Sequence, residues 1–239
     1  YISGVMRRKL SVPLLSLLLL VAAGGNQGEA SQADQPAEEL LHYRWKLGGF
    51  VGSVARLFIP GRGSGVLSTR RQVDGNVISE LRFTSNRSRS GEYWMHGAEI
   101  DPAAQRTLRA WTSQYFRGEV KEKRADLHEE EVIDFASGIH LLRRNPPDRP
   151  RRMTIWSNGK LYPVDVLPTG TEIRRLFGER VRVRSYAIRG ARVGGQRYWK
   201  GKLDLFLADD ELSTPVEIRI LRRGAKVRLE LVSAESRLE

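Results

Sequence analysis

The chain has no cysteine among its 239 residues, and that absence excludes several things at once. No disulfide can staple the fold, so an apolar core must hold it together. No lipid-accepting cysteine follows the leader segment, so the protein is not expected to be a lipoprotein. Thiolate metal sites and a cysteine nucleophile are excluded as well. Histidine is scarce too: His42, His96, His128 and His140 are scattered and form no recognised ligand pair, so no metal and no cofactor are expected. Long apolar runs are also missing. The longest, Leu10 to Ala23, falls short of the roughly 20 residues that span a bilayer as a helix.

That run follows Met6, Arg7, Arg8 and Lys9 and precedes small and polar residues, the three-part layout of a secretory signal. Residues 1–30 are therefore read as a signal peptide, with 1–5 as an upstream extension. Cleavage after Ala30, Ala23 or Ala33 satisfies the small-residue rule. The mature chain is expected in the periplasm or on the periplasmic face of the envelope, without a transmembrane span. The formal charge is +12, and removing residues 1–30 takes away Arg7, Arg8, Lys9 and Glu29, leaving 37 basic against 27 acidic side chains. In the cytosol such an excess would suggest nucleic acid. An exported chain meets anionic lipid head groups, cell-wall polymers and acidic proteins instead.

Residues 31–39 are polar, contain Pro36 and read as a flexible lead-in. From residue 40 to 235 the dominant pattern is apolar–polar alternation, the mark of half-buried strands. "GVLSTRRQVDGNVISELRFTS" predicts a hairpin around Asp74-Gly75, and "MTIWSNGKLYPVDV" another around Asn158-Gly159, pairs suited to the positive dihedrals of tight turns. "PVEIRILRRGAKVRLELV" predicts a third, with Val216, Ile218 and Ile220 facing Val227, Leu229 and Leu231. Trp199, Leu203, Leu205 and Leu207 share one face. Val181 and Val183 alternate with Arg180, Arg182 and Arg184. Residues 92–127 read as two strand regions about Asp101-Pro102. One stretch breaks the alternation: "EEEVIDFASGIHLLRRNPP", residues 129–147, has helical spacing over about 133–144, acids at its start and "RRNPP" at its end. The expected fold is mainly β, a single domain with a large curved antiparallel sheet or half-barrel and that short helix packed on it.

The order "VIDFASGIHLLRR", "MTIWSNGKLYPVDV" and "GKLDLFLADDELSTPVEIRI" resembles bacterial exported proteins of the domain-of-unknown-function family 3108. The resemblance rests on Asp134, Ser137, Leu142, Arg143, Gly159, Lys160, Asp209, Asp210 and Pro215. It covers residues 130–232 well and the stretch near residue 41 more weakly. It implies an exported antiparallel β domain, similar to the curved sheet with which periplasmic lipoprotein carriers wrap an apolar concavity, and it supplies no reaction. His140 departs from the family pattern, which has an aromatic, often Tyr, at that position.

Asp134, Ser137 and His140 suggest a catalytic set, but steps of three along one helix set them in a row rather than converging. A cap and a packing position explain them better, and no catalytic residue is assigned. Two binding sites remain as expectations. Phe50, Val54, Leu57 and Phe58, in the glycine-rich stretch 46–65, would contact a lipid or other amphiphile in the curved sheet. Arg143, Arg144, Arg149, Arg151 and Arg152, grouped around three prolines, would contact an anionic partner. The expected function is a non-enzymatic envelope protein that binds an apolar or amphiphilic ligand or an envelope-assembly partner. The alternative is a module that docks on an anionic cell-wall or membrane surface through a basic face. An envelope hydrolase ranks third.

Overall fold

The computed structural model describes residues 38–48, 61–85, 91–129, 131–194, 198–222 and 224–237. They form β1 (Glu38–Gly48), β2 (Arg62–Arg71), β3 (Val77–Ser85), β4 (Tyr93–Asp101), β5 (Arg106–Phe116), β6 (Glu119–Asp126) and β7 (Val132–Ile133). Helix α1 (Phe135–Arg144) follows, then β8 (Arg151–Ser157), β9 (Lys160–Leu176), β10 (Glu179–Gly190), β11 (Lys202–Ala208), β12 (Pro215–Arg222) and β13 (Ala225–Arg237). All strands belong to one sheet, ordered β6-β5-β4-β3-β2-β1-β13-β12-β11-β10-β9-β8-β7. Nearly every neighbour is also a neighbour in sequence. The long-range pair is β1 with β13, antiparallel from Glu38↔Arg237 to Gly48↔Lys226. β1 begins at Glu38, so the last two residues of the expected lead-in are strand.

The expected turns are present. Asn158 (φ 54°) and Gly159 (φ 78°) join β8 to β9 in a two-residue turn with Ser157↔Lys160 as the closing pair. Asp74-Gly75 sits in a longer connection, held by Gln72 N–H to Asn76 O and by Asn76 N–H to the Asp74 carboxylate. In the last hairpin Ile218 faces Leu229 and Ile220 faces Val227, as the alternation predicts. The region read as two strands holds three. β6, "EVKEKRAD", carries no apolar alternation because it is an exposed edge strand, and charged edges of this kind discourage pairing with another chain. The other edge, β7, is two residues long and runs parallel to β8.

The sheet is strongly curved and unclosed, and its two ends overlap. On β8, Met153 and Ile155 belong to the main core, whereas Trp156 belongs to a small separate cluster with Val132, Leu127, Ala110 and the packed Ala125. Successive side chains alternate between faces, so the inner face of β5 and β6 lies over the outer face of β7 and β8. Lys123 Nζ donates to Asn158 O at 3.1 Å across this seam. The result is a scroll rather than a hydrogen-bonded barrel.

Helix α1 lies on the concave side, against β3, β4 and β7. Phe135 through Leu142 are all buried. Phe135, Ala136, Ile139, Leu141 and Leu142 join a core to which every strand except β5 and β6 contributes. Ser79 Oγ–H donates to Ala136 O at 3.4 Å. Glycine is required where indoles cross the sheet. A Cβ on Gly63 would stand 2.0 Å from Thr84 O and 2.5 Å from Trp45 Nε1, and one on Gly97 would meet the Trp111 ring at 2.3 Å. Both are direct cross-strand Trp–Gly pairs, in which the flat ring covers backbone that a glycine leaves open.

Candidate functional site

The Asp–Ser pair of the helix is a reciprocal capping box. Ser137 N–H donates to Asp134 Oδ1 at 2.7 Å, and Asp134 N–H donates to Ser137 Oγ at 2.8 Å. Both side chains therefore satisfy helix-start donors, and neither is presented to a substrate. Burial pushes the Asp134 carboxyl up to about 6, with the Ser137 hydrogen bonds opposing. His140 is buried, and its Nε2 has no hydrogen-bond partner among the described residues. Burial first, then Arg143 and Arg144, lowers it to about 4, so the imidazole is neutral near pH 7. It is a buried side chain, not one presented at a surface.

The arginines grouped after the helix divide. Arg143 is half-buried and forms a two-pronged ion pair with Glu39, Nη1 to Oε2 at 2.7 Å and Nη2 to Oε1 at 2.9 Å. Nη2 also reaches Leu212 O at 3.3 Å. It ties the end of α1 to the start of β1 and faces no partner. Arg151 pairs with Glu131 and Arg152 with Asp165. Arg144 and Arg149 are exposed. Among the remaining motif residues, Leu142 is core, Lys160 opens β9, and Pro215 O accepts the Tyr43 hydroxyl at 2.7 Å. Asp209 pairs with Arg182 and Arg184, and Asp210 O accepts from Ser213 N–H. Phe50, Val54, Leu57 and Phe58 lie outside the described residues.

The concave side is occupied by α1 and the core, which moves attention to the outer face. A depression of about 380 Å³ there, over β3 to β6, is lined by Ile78, Glu80, Met95, Trp111 and charged neighbours. Its ions largely pair among themselves: Arg109 with Glu99 at 3.3 Å and Arg124 with Glu122 at 3.5 Å. The other sector of the outer face differs. In register, Arg62 lies opposite Lys46, Lys46 opposite Arg228, and Arg228 opposite Arg219. One row thus sets a cation on each of four neighbouring strands, β2, β1, β13 and β12. Like charges directly opposite repel. Two carboxylates in the next row hold part of it. Glu230 pairs with Lys46 and Arg228, and buried Glu217 takes both Arg219 and Arg228. Burial alone would raise the Glu217 carboxyl, but the hydrogen bonds from Arg228 and Arg219 outweigh it and hold it below the ordinary value. Arg44, Lys202 and Lys226 flank the row and, like Arg62 within it, are exposed and have no carboxylate partner among the described residues. Sequence reasoning missed this row. The alternation in "RWKLG", "VEIRI" and "KVRLE" puts each cation on a wet face, but only the β1–β13 pairing brings them side by side.

These features define a class: a rolled, barrel-like β sheet with a buried helix and a basic outer sector. A similar fold is seen in the crystal structure of a beta-barrel-like protein of domain of unknown function DUF1849 from Brucella abortus, with a TM-score of 0.55 at 10% identity. The match covers 84% of this chain and 98% of that one. A DUF1329 family protein from Desulfovibrio piger aligns over 85% of this chain and 87% of its own at 10% identity, with a TM-score of 0.37. No protein-family model matches the chain, family 3108 included, and no curated protein matches it. The likeness to the first neighbour shows the fold. No described helix is long and apolar enough to cross a membrane.

Proposed function

We propose that this is an exported, non-enzymatic envelope protein that docks on an anionic membrane surface through the outer face of β2, β1, β13 and β12. The observation that carries the reading is the four-strand cation row Arg62, Lys46, Arg228 and Arg219, flanked by cations without carboxylates. A sheet that sets like charges opposite one another gains when phosphate groups lie between them. The basic start, short apolar run and small residues within residues 1–30 support the export half of the proposal.

Sedimentation with vesicles containing phosphatidylglycerol tests it. Each Lys or Arg near such a surface contributes about 1 kcal/mol, so the double variant Arg62→Gln/Lys226→Gln is expected to bind about 30-fold more weakly than wild type. Neither side chain is used by the core, so folding should be unchanged. Equal partitioning of variant and wild type would remove this face from the interaction. Binding to an anionic cell-wall polymer but to no vesicle would overturn the membrane as the partner.

A further inference from the structure

β8 pairs with β9 only as far as Val166, and β11 pairs with β10 only from Val183 onward. Residues 173–176 and 179–182 therefore pair with each other beyond the flanking ladders, as a two-stranded arm whose base is marked by Asp209 N–H donating to Arg182 O. The arm turns at Phe177 (φ 52°) and Gly178 (φ 90°). The same backbone occurs at Asn158-Gly159 and Arg117-Gly118; asparagine suits a positive φ and arginine does not. A bulky aromatic there is an outlier, and Phe177 is 63% exposed. An exposed aromatic held in an unfavourable conformation points to a role outside the fold.

The two faces of the arm differ. Arg174, Leu176 and Val181 face the sheet: Leu176 and Val181 pack on Val183, Phe206 and Val216, and the Arg174 guanidinium lies 4.6 Å from the Phe206 ring. Arg174 also comes within 4.0 Å of Glu217, the carboxylate that serves the basic row. The other face carries exposed Ile173, and Arg175 lies directly opposite Arg180. Both are exposed, and neither has a carboxylate partner among the described residues. An exposed aromatic tip and an aliphatic side chain above paired guanidinium groups match the chemistry of an anionic bilayer interface. Phenylalanine and aliphatic side chains bury themselves at the headgroup–acyl boundary, and arginines bind phosphate.

We propose that the β9–β10 arm is a membrane finger. Phe177 and Ile173 enter the boundary between head groups and acyl chains, and Arg175 and Arg180 hold lipid phosphates. The inference rests on the membrane-docking reading above and names the element that inserts. The absence of cysteine gives a clean probe. A Phe177→Cys variant and a Lys160→Cys variant, the latter at the other end of β9, each take one environment-sensitive fluorophore. On phosphatidylglycerol vesicles the label at 177 is expected to shift to the blue and be quenched by a lipid-borne quencher, while the label at 160 stays in water. Phe177→Asn, which installs the residue that the β8–β9 turn already uses, should fold as well as wild type and bind vesicles about tenfold more weakly. If unlabelled wild type binds no anionic vesicle, the docking reading itself is overturned. If wild type binds while the label at 177 remains in water and Phe177→Asn binds equally well, docking stands and the finger is overturned.

Discussion

Replacing Arg143 with alanine is expected to lower the free energy of unfolding by about 3–5 kcal/mol. The side chains of Arg143 and Glu39 are only 9% and 16% exposed, and two parallel N–H to O bonds join them. Removing the guanidinium strands a carboxylate at the start of β1, next to the β1–β13 pair that holds the two halves of the scroll together. It also releases Leu212 O, which Arg143 caps. The cost lies in the stranded charge rather than in the pair itself. The double variant Arg143→Met/Glu39→Met, which removes both charges, is therefore expected to recover most of the loss. Urea midpoints at constant slope measure this. A single-variant loss below about 1 kcal/mol would show an exposed pair of the ordinary weak kind.

Replacing His140 with phenylalanine is expected to stabilise the protein at pH 5 by about 2 kcal/mol more than at pH 7.5. The folded imidazole titrates at about 4 because burial and then Arg143 and Arg144 disfavour its charge, whereas an unfolded histidine titrates near 6.5. Below pH 6.5 the unfolded chain takes up a proton that the folded chain refuses. Stability from this group is therefore full above 6.5 and falls as pH drops toward 4. Asp134 works in the opposite direction. Its folded carboxyl, raised to about 6, keeps a proton that the unfolded one loses near 3.8, so its contribution falls as pH rises through that window. The two slopes oppose each other in wild type, and phenylalanine at 140 leaves the Asp134 slope exposed. Unfolding free energies of variant and wild type at both pH values give the difference directly. A pH-independent difference would mean that His140 takes up its proton as readily in the folded state as in the unfolded one.

What could be read in the sequence was whatever depends on near neighbours. Asn158-Gly159 specifies a turn by its own dihedrals, Asp134 and Ser137 specify a cap within one helical turn, and Leu203, Leu205 and Leu207 specify a buried face by alternation. What could not be read depends on distant pairing. β6 has no apolar row because its inner face meets the sheet through little more than Ala125 at the overlap. Arg143 looks like a solvated arginine beside prolines until Glu39 is folded against it. Lys46, Arg228 and Arg219 look like unrelated wet-face residues until β1 meets β13. The arm residue Phe177 carries no sequence signal of its own, because Phe-Gly marks a turn only by its glycine.

If the working surface is the basic outer face rather than the concave side, vesicle binding depends steeply on salt. Wild type should sediment with phosphatidylglycerol vesicles, lose affinity steeply as ionic strength rises and the surface charges are screened, and ignore phosphatidylcholine. Absence of binding to anionic vesicles, or binding that is equal on both lipids and insensitive to salt, would contradict it.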